Sequence, residues 1–348
     1  MKLSNGVRFG LVGCGAIAIQ HLEAINTIEG AQLVAVASAS VHSARAAGER
    51  GHVPWMTSLE ELVTRDDVDA VALCTPSGLH AKQALAALRH GKHVIIEKPM
   101  ALSDYDANAV IAEGILQQRI VGVVSQRRFE PVLQQAHSAV ADGAIGRLIL
   151  IVGEALLNRP QTYYDSGTWR GTRSLDGGVL MNQAIHMIDL VRWIGGPVNS
   201  ITAKIATLNH QIEVEDTAIL NICFSNGSLG LVFATTSVAK GLSQELRLYG
   251  DRGNIRIVGD QAIEWNLVDG KPLIPAAKAV NRPLQTLAPA TWGTDASGHI
   301  LQYTDFVSAI LNKQAPSVTG EDGRNALQLV TAAYEADQTG RSIVIQQY

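Results

Sequence analysis

The sequence predicts an α/β fold, in which an N-terminal doubly wound parallel sheet precedes a C-terminal α+β domain with a large open, mostly antiparallel sheet. The first third of the 348-residue chain alternates short apolar runs with helix-like segments, as in a parallel sheet covered on both faces. The second half contains apolar stretches separated by glycine turns, the pattern of an antiparallel meander. We therefore predict two domains, at residues 1–125 and 126–348.

The N-terminal strands are short and uniformly apolar, which is typical of strands buried on both faces. Ser58 with Glu61 three residues later forms a capping box, which marks the start of the third helix. The predicted strands are Val7–Val12, Leu33–Ala37, Ala70–Leu73, His93–Ile96 and Ile120–Val124, and the predicted helices are Ile17–Glu29, Ser43–Arg50, Ser58–Thr64, Leu79–Arg89 and Asp104–Gln117.

The C-terminal domain should begin its sheet at Arg147–Leu157 and cover one face with a helix at Val179–Trp193, whose apolar residues are spaced three and four apart. We expect the other face to form a homodimer or homotetramer contact, because so large a sheet rarely leaves a face bare. Residues 271–298 show little periodicity. The remaining predictions are hairpin turns at Asn226-Gly227, Asp251-Arg252-Gly253, Gly259-Asp260 and Asp269-Gly270, helices at Ile300–Leu311 and Gly323–Gln338, and a strand at Ser342–Ile345.

Composition excludes several classes of protein. The formal charge of −4, without a block of like charges, argues against binding to nucleic acid or to a membrane surface. Cys14, Cys74 and Cys223 lie far apart without a CxxC pair, so we expect neither a disulfide framework nor a metal site. No apolar run has the roughly 18 residues of a membrane helix, and no signal-peptide cleavage site follows the N-terminal apolar stretch. We therefore expect a cytoplasmic protein.

A glycine-rich turn of the form G-x-G-x-x-A follows the first strand and opens a helix at residues 13–18. Gly13 allows the tight turn, and Gly15 lets a pyrophosphate approach the backbone. Ala16 and Ile17 lead into the helix, whose N-terminus favours an anion. The pattern predicts a dinucleotide site, the alternative being a plain connection between strand and helix.

The end of the second strand should select the cofactor. An NAD-binding domain usually has an acidic residue there, but residues 31–48 contain no acid before Glu49. The corresponding position is Ser38, and Arg45 follows on the next helix. A hydroxyl and a guanidinium suit a 2′-phosphate better than a free diol, which favours NADP over NAD. The alternative is that Arg45 only faces solvent.

Two further strand ends point to the same edge of the sheet, where ligands of parallel sheets bind. Thr75-Pro76 follows the fourth strand, and Glu97-Lys98 follows the fifth. Lys98 is thus placed where chemistry would occur, although a strand-terminal lysine can also be a solvated charge and Glu97 its ion-pair partner. On the predicted helix, Asn182 and His186 share a face, and an imidazole can accept a hydroxyl proton while hydride leaves the same carbon. A structural histidine is the alternative.

The chain contains five short motifs in a fixed order, namely Gly13-x-Gly15-x-x-Ala18, Thr75-Pro76 with His80, Glu97-Lys98-Pro99, Gly177-Gly178 and Gly320-Glu321-Asp322-Gly323. This ordered set resembles the Gfo/Idh/MocA family. This resemblance implies a Rossmann domain and an α+β domain whose open sheet forms dimers or tetramers. It also implies hydride transfer between NAD(P) and a sugar or cyclitol hydroxyl, with Thr75, Pro76, His80 and Glu97 near the cofactor.

The same resemblance assigns roles to the reacting residues. Lys98 would orient and polarise the reacting oxygen, and His186 would be the acid/base. Family members often have an aspartate four residues before this histidine, whereas this chain has Asn182. An amide cannot accept the proton, so Asn182 would bind substrate or position Lys98.

A narrower likeness connects residues 159–217 to the branch that contains UDP-N-acetylglucosaminuronate 3-dehydrogenases. It implies that Arg159 or Arg170 holds a carboxylate and that Tyr163 stacks on a ring, with Trp169 beside them. The alternative is that these aromatic residues only pack. Arg127 follows the last Rossmann strand and either binds a substrate carboxylate or phosphate or forms ion pairs within the protein.

The sequence thus predicts an NAD(P)-dependent oxidoreductase acting on a sugar, sugar acid or nucleotide sugar. One alternative is an inositol or simple aldose dehydrogenase of the same family. Another, from a different class, is a non-catalytic sensor or scaffold that binds a dinucleotide without turnover.

Overall fold

A computed structural model of the protein describes residues 6–267 and 296–347. These residues form two compact units, the first comprising 6–126 with 296–327 and the second comprising 127–267 with 328–347. The sequence division had assigned residues 296–327 to the second domain. They fold with the first unit because Tyr303 and Phe306 pack on Phe9, with ring centroids 5.4 and 6.4 Å apart, in its buried apolar core.

The first unit contains a parallel sheet of six strands in the order β3-β2-β1-β4-β5-β6. The order reverses between β1 and β4, the position at which open parallel sheets bind ligands. This confirms the predicted doubly wound sheet. The structure adds β3, whose two residues are too few for a sequence pattern. The strands are β1 (Val7–Val12), β2 (Ala31–Ala37), β3 (Trp55–Met56), β4 (Ala70–Leu73), β5 (His93–Ile96) and β6 (Val121–Val123).

The described residues form eleven α-helices, of which those at Pro131–Ala141 and Gln161–Asp165 were not predicted. The others follow the predicted positions except at one point. The predicted helix Val179–Trp193 is two helices, because both Gln183 and Ala184 donate their N–H groups to the Val179 carbonyl and form a turn. The helices are α1 (Ala18–Thr27), α2 (Val41–Gly51), α3 (Leu59–Val63), α4 (His80–Arg89), α5 (Asp104–Leu116), α6 (Pro131–Ala141), α7 (Gln161–Asp165), α8 (Val179–Asn182), α9 (Ile185–Gly195), α10 (Ser297–Asn312) and α11 (Gly320–Thr339).

The second unit contains a sheet of eight strands in the order β13-β12-β11-β7-β10-β9-β8-β14. Its pairs are antiparallel except for β7 with β10, which confirms a mostly antiparallel sheet. The predicted turns at 226–227, 251–253 and 259–260 each connect neighbouring strands. The strands are β7 (Leu148–Leu156), β8 (Val198–Ala206), β9 (Thr217–Phe224), β10 (Leu229–Thr235), β11 (Glu245–Gly250), β12 (Gly253–Val258), β13 (Gln261–Leu267) and β14 (Ile343–Val344).

This second sheet has one covered face and one open face. Along β9, buried Leu220 alternates with Ile219, which is 48% exposed. On the covered face, α9 packs directly on β7: a Cβ at Gly153 would lie 2.6 Å from the Met187 side chain. Among residues 6–267 and 296–347, helices cover one face of this sheet, while the oligomer contact on the other face stays a prediction.

Two predictions fall outside the described residues, namely the turn at Asp269-Gly270 and most of the irregular segment 271–298. Within 6–267 and 296–347, no helix combines the length and apolar character needed to cross a membrane.

Candidate active site

The first two glycines of the turn after β1 differ in their backbone conformation and in the space around them. Gly13 has φ +94°, and a Cβ there would lie 2.6 Å from the carbonyl carbon of Cys74, so only glycine fits without strain. Gly15 is exposed, and a Cβ there would have no atom within 4 Å. Ala16 is exposed, Ile17 is half-buried, and no side chain caps the helix that follows. This open backbone at a helix N-terminus has the features of a phosphate site.

The loop after β2 contains the residues proposed to select the cofactor. Ser38 follows the strand directly, and its N–H donates to the Met56 carbonyl at 3.1 Å. The Ser40 hydroxyl accepts a hydrogen bond from the Ser43 N–H and thereby caps α2. Arg45 is exposed on this helix, with its Cζ 5.5 Å from the centroid of the Trp55 ring. The guanidinium can therefore both stack on an aromatic face and meet an anion from solvent.

The ends of β4 and β5 lie side by side, because these strands pair in parallel through Leu73 and Ile96. Thr75 and Pro76 are half-buried after β4, and the Thr75 hydroxyl donates to the Gln83 side chain at 2.6 Å. Lys98 is half-buried two residues after β5 ends. The fold thus brings the predicted residues after these two strands to one edge of the sheet.

Glu97 is the centre of a buried hydrogen-bond network within the first unit. One of its oxygens accepts a hydrogen bond from His21 Nε2 at 3.0 Å, and the other accepts one from the Lys98 N–H at 3.1 Å. The hydroxyl of Tyr303 lies 2.7 Å from His21 Nδ1. A carboxylate only accepts, so His21 carries hydrogen on Nε2 and accepts from Tyr303 on Nδ1.

The charges of this network follow from its burial and hydrogen bonds. Burial by itself would raise the pKa of the Glu97 carboxyl, but the hydrogen bond from His21 and the proximity of His299 and Lys98 hold that pKa well below its usual value. Burial lowers the pKa of His21. The pair is therefore a carboxylate beside a neutral imidazole, so a negative charge is retained next to Lys98.

His299 brings a third potential metal ligand to the pair of His21 and Glu97. The three donor atoms lie within 4.8 Å of one another, a spacing that a metal ion can bridge, although the cysteine spacing had predicted no metal. His299 is 2% exposed, and neither ring nitrogen has a hydrogen-bond partner among the described residues. A metal would have to displace the existing hydrogen bond between His21 and Glu97, so the geometry favours the hydrogen-bonded state.

Sequence analysis did not predict this network or single out His21. A signal was present, because His21 lies one turn after Ala18, on the helix face that packs against the sheet. Its partners at positions 97 and 303 could not be identified, because they are distant in the sequence.

His80 had been assigned to the cofactor through the family resemblance. In the structure its ring is 1% exposed, with Nδ1 2.7 Å from the Pro99 carbonyl oxygen and Nε2 2.8 Å from that of Thr75. Both ring nitrogens are therefore occupied by the protein backbone.

In the second unit, Asn182 and His186 lie on separate helices, α8 and α9, so the prediction that they share one continuous helix face is wrong. The Asn182 amide donates to the carboxylate of Asp176, which is 1% exposed and also accepts the Gly171 N–H at 2.7 Å. His186 is half-buried in the first turn of α9. The Asp176 contact gives Asn182 a positioning partner within its own unit.

Arg159, Tyr163, Trp169 and Arg170 form a cation–aromatic cluster in the second unit. The guanidinium carbons of Arg159 and Arg170 lie 5.1 and 4.2 Å from the centroid of the Tyr163 ring, and that of Arg170 lies 4.5 Å from the Trp169 ring. All four side chains are half-buried. Neither arginine pairs with a carboxylate of the described residues, and Arg159 Nε is buried without a partner. Two positive charges beside an aromatic face can bind an anionic ligand.

Arg127 lies 3% exposed and has several partners in its own unit. Its guanidinium contacts Glu130 at 3.3 Å, the Gln244 side chain at 3.3 Å and the Gly259 carbonyl at 3.0 Å. The neighbouring Arg128 forms a buried ion pair with Asp189. For Arg127 this arrangement favours the ion-pair alternative over a contact with substrate.

Comparison with protein families decides which fold family this arrangement represents. Residues 7–125 match the model described as an oxidoreductase family NAD-binding Rossmann fold, and residues 137–345 match the C-terminal alpha/beta domain of the same family. The chain belongs to the Gfo/Idh/MocA family. It is therefore an oxidoreductase with an NAD-binding Rossmann domain, and the family predicted from the ordered motifs is confirmed.

Three relatives are similar to this chain over almost its whole length, and two of them are solved structures. The WlbA dehydrogenase from Bordetella pertussis, solved with NADH and UDP-GlcNAcA, is 31% identical, with a TM-score of 0.91 and full coverage of both chains. The Chromobacterium violaceum WlbA dehydrogenase, solved with the same two ligands, is 32% identical, with a TM-score of 0.89 and coverage of 100% of this chain and 98% of that one. The 1,5-anhydro-D-fructose reductase of Ensifer adhaerens is 29% identical over 97% of this chain and 98% of that protein.

Proposed function

We propose that the protein is an NAD(P)-dependent dehydrogenase that oxidises a hydroxyl group of a nucleotide-linked sugar acid. The observation that carries this proposal is the cluster of Arg159 and Arg170 beside Tyr163, in which neither arginine pairs with a carboxylate of the described residues. A uronate carboxylate or a diphosphate supplies the missing negative charge, and a sugar or base ring packs on the aromatic face. The two WlbA relatives, solved with NADH and UDP-GlcNAcA, support this substrate class.

In the proposed reaction the substrate carbon loses hydride to the nicotinamide while its hydroxyl loses a proton. Lys98 would hold and polarise the hydroxyl oxygen, and His186 would accept the proton as the carbon–oxygen double bond forms. The buried carboxylate of Glu97 supports a charged Lys98. Asn182, held by Asp176, would orient the substrate without accepting the proton.

The test is a substrate panel with NAD⁺ and NADP⁺ that contains UDP-GlcNAcA, UDP-GlcNAc, free inositol and free aldoses. We expect turnover of UDP-GlcNAcA, with weaker activity on UDP-GlcNAc because it lacks the carboxylate. Arg170→Leu should raise the KM for UDP-GlcNAcA more than tenfold, whereas the exposed control Arg147→Leu should not. Activity confined to inositol or aldoses would instead support the simpler dehydrogenase, and cofactor binding without any turnover would support a sensor.

We further propose that the loop after β2 favours NADP. Ser38 occupies the position of the usual acid, and Arg45 is exposed on the next helix beside Trp55. Titration with NADH and NADPH, followed by tryptophan fluorescence, tests this choice directly. Tighter binding of NADPH supports the proposal, and tighter binding of NADH would contradict it and align the protein with the WlbA structures.

We also propose that the open face of the second-unit sheet forms a homodimer or homotetramer contact. The strand register places Ile219, Leu229, Tyr249 and Val344 on this face, where they are between 38% and 70% exposed. Exposed apolar side chains on one face favour association.

A further inference from the structure

His80 connects the two loops that flank the proposed reacting lysine. Its ring is buried at the start of α4, with Nδ1 2.7 Å from the Pro99 carbonyl oxygen and Nε2 2.8 Å from the Thr75 carbonyl oxygen. Thr75 belongs to the loop after β4, and Pro99 directly follows Lys98 after β5. One side chain therefore lies against a backbone carbonyl from each of the two strand ends that the parallel sheet brings to the same edge.

The backbone on the other side of Lys98 is held in a matching way. The Lys98 N–H donates to the Glu97 carboxylate at 3.1 Å, and that carboxylate is itself fixed by His21 at 3.0 Å. Lys98 thus projects from a backbone segment with a buried hydrogen bond on each side. Its position depends on His80 at one end and on Glu97 at the other.

The chemistry of the two His80 contacts defines how a substitution should act. Carbonyl oxygens only accept, so a neutral ring donates to one of these two oxygens and packs against the other. Burial lowers the pKa of His80, while the Pro99 and Thr75 carbonyls and the charge of Glu97 oppose that change. A glutamine at this position could donate to one carbonyl, and a leucine could donate to neither.

We infer that His80 is a positioning residue, which fixes the backbone of Lys98 by holding the Pro99 carbonyl beside the Thr75 loop. The inference rests on the proposed role of Lys98. It assigns His80 no contact with cofactor or substrate, because each ring nitrogen lies within 2.8 Å of a backbone carbonyl oxygen. The effect of His80 on the reaction passes through Lys98.

The test is a double-mutant cycle on the full chain, with the panel sugar that the wild-type protein oxidises fastest. His80→Leu should lower kcat about 100-fold, as expected for a reacting group displaced by about an ångström, and His80→Gln about tenfold. In a Lys98→Ala background, the same His80 substitutions should lower kcat no further, since the group they position is absent. NADH affinity should change less than about threefold in each variant.

His90→Gln provides a control on the same secondary-structure element, because His90 follows the other end of α4 and is exposed. It should retain wild-type kcat. If His80→Leu fails to bind NADH because it does not fold, the comparison is made with His80→Gln alone. Equal losses of kcat in the two backgrounds, or wild-type kcat in the His80 variants, would overturn the inference. Wild-type turnover in Lys98→Ala would refute the proposed role of the lysine instead.

Discussion

At the residue scale, buried polar groups define the surroundings of Lys98, the lysine proposed to react. Glu97 keeps its negative charge in a buried site because His21 donates to it and the Lys98 N–H supports it. Such a carboxylate would be costly without these partners. Its negative charge lies beside Lys98, the residue proposed to polarise a substrate oxygen.

Replacing the proposed reacting groups should separate turnover from cofactor binding. Lys98→Ala and His186→Ala should each lower kcat by about two orders of magnitude or more, while the NADH dissociation constant changes little. Steady-state kinetics and fluorescence titration measure the two effects. Lys82→Ala and His42→Ala alter exposed residues and serve as controls. Wild-type turnover in either active-site variant would contradict the role of that residue.

A single substitution after β2 should change the choice of cofactor. Ser38→Asp adds an acceptor for the free ribose diol and repels a 2′-phosphate, so the ratio of NADH to NADPH affinity should rise at least tenfold. Competitive titration measures this ratio. Ser43→Asp, on the helix that follows, is the matched control for added charge. An unchanged ratio in Ser38→Asp would mean that this position does not meet the ribose.

At the scale of the element, the turn between β1 and α1 combines a structural glycine with a functional one. Gly13 is required by its positive φ and by the adjacent Cys74 backbone, whereas Gly15 has space for a side chain in the protein itself. The same motif therefore serves folding at its first position and, in the proposed function, ligand approach at its second.

Substitution by alanine should distinguish these two roles. Gly13→Ala should lower the free energy of unfolding by about 2–4 kcal/mol, because it strains a positive φ and overlaps the Cys74 backbone. Gly15→Ala should leave unfolding nearly unchanged but weaken NADH binding about tenfold or more, because the methyl group lies where a pyrophosphate would approach. Urea unfolding and NADH titration of both variants measure the difference. Equal destabilisation by the two substitutions would contradict this division.

The loop before β9 is organised by the buried carboxylate of Asp216. It accepts the N–H groups of Leu208, Asn209 and His210 at 2.9–3.0 Å and the Thr217 hydroxyl at 2.9 Å. Burial alone would raise the pKa of Asp216, but these donors lower it from 3.8 to about 2. The carboxylate form is therefore stabilised by folding.

The lowered pKa of Asp216 predicts how the stability of the folded protein changes at acid pH. Because the pKa of Asp216 is lower in the folded state, its carboxylate stabilises the protein fully above about pH 4. This stabilisation is lost as the pH falls toward 2. The urea midpoint of wild type should exceed that of Asp216→Asn at pH 6, and the difference should shrink between pH 4 and 2. The exposed control Asp142→Asn should show a difference that does not vary with pH. A constant difference for Asp216→Asn would contradict the prediction.

At the scale of the whole molecule, the chain forms two compact units that are not simple consecutive segments. Helix α10 follows strands β7 to β13 of the second sheet in the sequence but supplies Tyr303 and Phe306 to the core of the first unit. The second unit contributes a sheet with one helix-covered face and one open face. Association through the open face would bury its exposed apolar residues.

The oligomer contact can be tested by placing charge on the open face. Leu229 is 54% exposed on this face at the start of β10, so Leu229→Lys should lower the association state measured by sedimentation. Leu116→Lys, at an apolar position on α5 that is 73% exposed, should leave that state unchanged. If neither substitution dissociates the oligomer, the proposed contact is wrong. It is also wrong if the wild-type protein is a monomer.

The accuracy of the sequence predictions depends on how local each feature is. The strands around Gly13 and Lys98 and the hairpin at Asn226-Gly227 follow from patterns within a few residues, and they appear as predicted. The break between Asn182 and His186 was not predicted, because the apolar spacing continues through a turn that depends on hydrogen bonds to Val179.

The sequence by itself determined the parallel sheet, the glycine turn, the position of Lys98 at a strand end and the family. These features depend on periodicity and on residues close together in the chain. Only the tertiary structure decided that His21 meets Glu97 and Tyr303, across separations of 76 and 282 residues, and that His80 lies against the Pro99 carbonyl. The physical reason is that a buried hydrogen bond requires two partners at about 3 Å, and folding alone brings distant residues to that distance.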